Sequence, residues 1–320
     1  MRTAAAGVVV FVLALATIHG QTTAFTKTPW GDPDLQGTWT NQTLTPLERP
    51  AELAGKPVLT EAEAGPYETK LRREANVDTR DPGTRQDVAL GYNDVWWDRG
   101  NRIVADRRTS LVIDPADGRI PALTPEGQAR GAADRRAAAV QEESAASWEE
   151  FDASSRCIMR SPLPKLASAY NNNFEIVQSP GYVAIMQEQV HDVRIIPLNG
   201  MPHLPGTVRQ WLGDSRGRFE GDTLVVETTN FTGGVRGATF RESTPNMVLV
   251  ERFRRTSEGT IDYRFTITDP DTWARPWTVV LPWNKEPGLI YEYACHEGNY
   301  AMQHMLEVIR ASEAAAAKRK

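Results

Sequence analysis

Val248-Leu249-Val250-Glu251-Arg252-Phe253-Arg254-Arg255-Thr256-Ser257-Glu258-Gly259-Thr260-Ile261-Asp262-Tyr263-Arg264-Phe265-Thr266-Ile267-Thr268 reads as two β-strands and the turn between them. In its second half Ile261, Tyr263, Phe265 and Ile267 alternate with Asp262, Arg264 and Thr266. A period of two sends one set to an apolar face and the other to solvent, which describes a half-buried antiparallel strand. Ser257-Glu258-Gly259 supplies the turn. The same pattern repeats outward. Residues 174–177 and 182–186 flank Ser179-Pro180-Gly181, a type II turn signature. Residues 190–197, 208–212, 223–229, 277–281 and 289–293 read as further short strands. Strands in succession without helices between them form an antiparallel meander, which must close as a barrel or fold as a β-sandwich. No repeat of about 40–50 residues is present, which argues against a propeller.

Helices are expected at the margins of this meander. Thr60-Glu61-Ala62-Glu63 is a capping box opening a helix over about 60–75. Thr124-Pro125 caps another over about 124–148, and a third covers about 300–317. A strand enters near 38–42 and another near 110–113, the latter closed by Asp114-Pro115-Ala116-Asp117-Gly118. Asp214-Ser215-Arg216-Gly217 and Glu220-Gly221-Asp222 read mostly as turn chemistry. Ahead of all this, Met1-Arg2, an apolar run over 4–18 and small residues over 20–24 match a secretory signal. The run is shorter than the roughly twenty residues a spanning helix needs. The expected organisation is a signal peptide over 1–24, cleaved between Gly20 and Phe25, and one β-rich domain over 25–320 carrying the helices as additions. The mature chain is expected in the periplasm or secreted, with no stable membrane insertion.

A net charge of −5 and a pI near 5.7 argue against nucleic acid as a partner, because phosphate binding needs a concentrated basic face. Nine Trp serve either a β core or a surface on which ligands stack. Cys157 and Cys295 are an even pair in an exported chain, which favours a disulfide over two buried thiols or a nucleophile.

Gly37-Thr38-Trp39 resembles the Gly-x-Trp of lipocalin-like barrels, where the Trp plugs the closed end beneath the first strand. More extensively, Arg108-Thr109-Ser110-Leu111-Val112-Ile113-Asp114-Pro115, the stretch 213–224 (Gly213-Asp214-Ser215 to Asp222-Thr223-Leu224) and Tyr293-Ala294-Cys295-His296-Glu297-Gly298-Asn299-Tyr300 are similar to blocks of an uncharacterised group of exported proteins from environmental bacteria. That resemblance implies a shared fold and transfers no catalytic residue.

No motif names a reaction. Zinc-type Cys/His spacing, the HExxH signature, a phosphate loop and a dinucleotide fingerprint are all missing, so neither metal nor cofactor is expected. Beyond the signal the histidines are His191, His203, His296 and His304, and two of them adjoin acids, in His191-Asp192 and His296-Glu297. Glu251 shares a strand face with Leu249 and Phe253, and Glu227 shares one with Val225. A carboxylate on an inward face must be paired or lose its charge, which suits it to acid/base work. The alternative parity points both acids outward. The expected catalytic set is Glu227, Glu251, His191, His296 and Tyr263, with Glu251→Gln abolishing turnover and sparing stability. Trp273, Arg275, Trp277 and Tyr291 are the expected ligand-binding set, because two indoles around a guanidinium can stack a ring and hold an anion.

Two function classes follow. One is an exported enzyme acting on a small apolar or aromatic molecule by acid/base chemistry, of lyase, isomerase or hydrolase type. The other is a non-catalytic carrier for such a molecule. An enzyme should gather at least two titratable side chains in one pocket, whereas a carrier pocket should be almost wholly apolar.

Overall fold

Ile261, Tyr263, Phe265 and Ile267 are buried together, and their strand stands at the middle of one antiparallel sheet. The computed structural model describes residues 26–79, 93–160, 163–232, 240 and 243–318, so the signal peptide expected over 1–24 lies outside the described residues. Eleven strands make up the sheet. They are β1 (Gly37–Thr40), β2 (Val112–Asp114), β3 (Asn173–Ser179), β4 (Tyr182–Gln187), β5 (Val193–Pro197) and β6 (Asp214–Glu220), then β7 (Thr223–Thr229), β8 (Val248–Ser257), β9 (Thr260–Thr268), β10 (Trp277–Val280) and β11 (Trp283–Lys285). Their order is β5-β4-β3-β1-β11-β9-β8-β7-β6, with β10 pairing both β9 and β2.

The sheet curls into a nearly closed barrel, because its two end strands β5 and β6 come back alongside each other. Gly217 on β6 is what lets them approach. A Cβ there would stand 2.8 Å from Ile196 and 2.7 Å from Leu198. Inside, aromatic side chains fill the volume: Phe174 stacks on Trp283 with centroids 4.1 Å apart, and Trp283 meets Tyr263 at 4.9 Å. Trp39 on β1 is fully buried, donates from Nε1 to the Leu35 carbonyl at 3.0 Å and carries the Arg255 guanidinium over its ring.

Register decides which side chains point inward. Val226, Glu251 and Phe265 are cross-strand partners, as are Leu224, Phe253 and Tyr263, and all six are buried. Glu227 pairs with Val250 and so belongs to the opposite, outer face.

Three helices are described: α1 (Glu61–Ala75), α2 (Pro125–Ser144) and α3 (Ala301–Ala317). The Thr60/Glu63 capping box forms in both directions, and Thr124 Oγ1 accepts from Gly127 N–H at 3.0 Å. α3 leaves the barrel alone. Its Ile309, Met302, Met305 and Leu306 build a separate small cluster with Ala145 and Phe151. The disulfide Cys157–Cys295 ties the chain leading from this cluster to the segment ahead of α3. Among the described residues no helix is long and apolar enough to cross a membrane.

Three local expectations are corrected: 208–212 and 289–293 are not strands, and 214–217, expected as turn, is strand. Residues 208–212 form no strand; Val208 and Trp211 are exposed, and only a single bridge, Gln210 to Phe231, is made. The strand lies one step on, in β6, because Gly213 at φ +69 turns the chain and the polar 214–217 run then pairs along β7. Residues 289–293 are also not a strand. β11 already occupies the gap between β9 and β1, so Leu289 and Tyr291 find no partner and remain exposed.

Candidate functional site

Inward-facing polar residues meet at one place in the barrel. Arg194 on β5 reaches across the interior to Glu251 on β8 and donates from both terminal nitrogens, Nη2 to Oε1 at 3.1 Å and Nη1 to Oε2. Tyr263 OH on β9 donates to the same Oε1 at 2.9 Å. With side-chain exposures of 6% for Arg194 and 1% for Glu251, water screens this pair very little. Burial, and then the Glu251 charge, pushes the Tyr263 hydroxyl well above its ordinary range, so it stays a donor.

These three residues line a cavity of about 10 Å³ together with Leu163, Lys165, Phe174, Ile185, Gln187 and Trp283. That volume holds about one water. Lys165 is buried and donates from Nζ to Gln189 Oε1 at 2.8 Å. Burial brings its ammonium down to about 8, against the pull of Glu188, so it changes protonation close to neutral pH. Three lining residues also carry a buried polar atom without a hydrogen-bond partner: Gln187 Oε1, Arg194 Nε and Trp283 Nε1. Unsatisfied buried polar atoms are rare in folded proteins and costly, so each of these three leaves a donor or acceptor at the cavity. Burial raises Asp192 to about 6.

The structure brings together only two of the five expected catalytic residues, Glu251 and Tyr263. Glu227 is half-exposed on the outer face, where His203 lies between it and Asp214, with Nε2 at 3.2 Å from Glu227 Oε1 and Nδ1 at 2.9 Å from Asp214 Oδ2. Burial alone would raise the Asp214 carboxyl, but hydrogen bonds from Leu204 N–H, His203 and Arg216 outweigh it and lower it. Val225 and Glu227 do share a face, as the alternation implies; it is the outer one, because Val226 is the partner of Glu251. His191 sits exposed in a short helical turn before β5, and His296 is exposed after the last strand, so neither faces the interior.

The expected ligand-binding set also divides. Trp273 and Trp277 pack edge to face at 5.6 Å inside the core, while exposed Arg275 pairs with Asp114 at 2.6 Å. Residues 273–276 lie ahead of β10 and outside any strand, so alternation does not hold there; Arg275 turns out to solvent while both indoles are buried, and the three do not form a clamp. Tyr291 is exposed.

Sequence reasoning missed Arg194, Lys165 and Gln187. In β5 both faces carry aliphatic residues, Val193 and Ile195 outside and Ile196 inside, so parity alone could not place Arg194. The available signal was charge: an Arg in one apolar strand and a Glu in another must find each other if both face inward. Lys165 lies in an aperiodic segment that gave no signal. Among the described residues, no group of three or more His, Cys, Asp or Glu is placed to hold a metal ion. Compared with known proteins, the chain matches no family model, no curated protein and no solved structure.

Proposed function

We propose that this chain is an exported enzyme that carries out acid/base chemistry on a small apolar or aromatic molecule, of lyase, isomerase or hydrolase type, at the cavity lined by Lys165. The observation that carries the proposal is the lining itself. Four ionisable side chains, Lys165, Arg194, Glu251 and Tyr263, share one enclosed space with Phe174 and Trp283. A carrier for apolar cargo has no use for such a set.

The roles differ from those expected from sequence. Glu251 is held by Arg194 and Tyr263, so it serves as a fixed charge that keeps the guanidinium in place. Lys165 is the group that exchanges a proton, because burial has brought it near working pH. As a neutral amine it takes a proton from the substrate, and as an ammonium it returns one. The Nε–H of Arg194, without a protein partner, is available to the oxygen on which negative charge develops. The indole and phenyl faces of Trp283 and Phe174 accept the apolar body. Only the polar end of such a molecule fits the present volume, so binding requires the interior to open around Lys165. The disulfide supports the exported setting, since such bonds persist in oxidising compartments.

The test is to incubate the purified mature protein with a metabolite extract, in parallel with Lys165→Met and Lys165→Arg. Compounds consumed by the unmodified protein and spared by both variants support the proposal, the more so if consumption follows a group ionising near pH 8. Equal consumption by all three, or none by any, refutes it.

A further inference from the structure

The outer side of the same barrel wall carries a second concavity. Strand alternation puts Tyr263 and Trp283 inside, while their neighbours Asp262, Arg264 and Asn284 face out into a cleft of about 930 Å³. The cleft is bounded by α1, by the segment 100–108 and by the outer face of β8, β9 and β11. Its size is that of a site for a small organic molecule.

Its charge is net positive once internal ion pairs are set aside, with Arg102 and Arg107 against the single acid Glu68. Glu68 accepts the Ile103 N–H at 3.1 Å. Asp106 is gripped by Arg108, whose Nε donates to both carboxylate oxygens, at 2.9 and 2.8 Å. Asp262 accepts from Arg264 Nη2 at 2.8 Å and Nε at 3.1 Å. Two of the three acids are therefore paired with arginine, and Glu68 is hydrogen-bonded but keeps its charge. Two arginines remain. Among the described residues the Arg102 side chain has no hydrogen-bond or ion-pair partner, and Arg107 uses only Nε, which donates to the Leu59 carbonyl at 3.2 Å. Arg107 is held at φ +59, a backbone region that costs a branched or long side chain energy and that recurs at ligand sites. At Gly100 (φ +80) an added Cβ would stand 3.1 Å from Gln42 and 3.3 Å from the Thr43 nitrogen, so the backbone there runs close against the β1 end.

We propose that this cleft binds a small organic oxyanion, a carboxylate or phosphoryl group on a polar body, with Arg102 and Arg107 as the guanidinium forks that hold it. The planar fork matches either oxyanion bidentately. The polar body faces Thr256, Thr260 and Asn284, whose hydroxyl and amide groups line the opposite wall. The site is independent of the interior cavity, because the two lie on opposite faces of β9 and β11.

Titration calorimetry at low ionic strength tests this with three probes: gluconate, glucose 6-phosphate and neutral glucose. Either anion should bind at least tenfold more tightly than glucose, and which one does so assigns the headgroup. Arg102→Gln and Arg107→Gln should each weaken that binding about tenfold or more, and higher salt should weaken it further. Thr256→Glu, an exposed change that places a carboxylate in the cleft, should abolish it while leaving the thermal midpoint in place. No preference of either anion over glucose, or binding unaltered in Arg102→Gln and Thr256→Glu, overturns the proposal. Neither result bears on Lys165.

Discussion

Replacing Glu251 by Gln is the perturbation whose cost the structure fixes best. Gln keeps the shape and one acceptor oxygen, but it removes the charge that faces Arg194. Both side chains are almost wholly buried. Removing one partner of a buried ion pair leaves the other charge uncompensated, at a cost of about 3–5 kcal/mol. Unfolding entropy of about 2.1 cal/mol/K per residue gives roughly 0.6 kcal/mol/K for a chain of this size, so the midpoint should fall by about 5–8 °C. The sequence pattern alone suggested that this substitution would spare stability; the Arg194 contact reverses the expectation. The double change Arg194→Met with Glu251→Leu, made together with Tyr263→Phe so that no buried hydroxyl loses its acceptor, removes both charges and should recover most of the loss, since apolar replacement of a whole buried pair is often neutral or better. Thermal and urea unfolding of the unmodified protein, the single variants and the combined variant measure this directly. A Glu251→Gln midpoint within about 1 °C of the unmodified protein would refute the reasoning. So would a combined variant as unstable as the sum of the singles.

Other expectations follow from single features. Lys165 ionises near 8 when folded and near 10.4 when unfolded, so the unfolded chain holds the extra proton between those values and stability should rise from pH 8 to pH 10. Lys165→Met should flatten that rise and add on the order of 3 kcal/mol at pH 7, and urea unfolding at both pH values would show otherwise if the slope persists. Removing the Cys157–Cys295 bridge, which closes a sequence separation of 138, should destabilise by about 5 kcal/mol in the chain-entropy model. Hydrogen exchange should then show α3 opening first, because its own cluster is small; uniform loss of protection across the barrel would contradict this. Gly217→Ala should cost about 1–3 kcal/mol by forcing β6 away from Ile196 and Leu198, and an unchanged unfolding free energy would mean the seam is not packed as described.

The barrel was legible in the sequence because its signals are local. Ile261 to Ile267 alternate over a full strand, Ser179-Pro180-Gly181 specifies its turn, and Thr60 with Glu63 marks a helix start without reference to anything distant. Where two faces were both apolar, as around Glu227 and Arg194, alternation identified a strand but not its inward side. That choice is made by the register with neighbouring strands, a long-range property. The site was half legible for the same reason. Glu251 and Tyr263 belong to the adjacent strands with the clearest period, and they meet as expected. Their true partner, Arg194, comes from the far side of the barrel, 57 positions away in sequence. The two acid-adjacent histidines were attractive because neighbouring residues in print suggest a dyad. His191 instead occupies a turn and His296 an exposed segment, where adjacency has no geometric consequence.

The most direct test of the Lys165 site is a structure determined with a molecule that the protein consumes. The expected result places its polar group within hydrogen-bond reach of Lys165 Nζ, Gln187 Oε1 or Arg194 Nε and its apolar body against Trp283 and Phe174. A molecule bound elsewhere, with the interior packed as described here, would contradict the proposed chemistry.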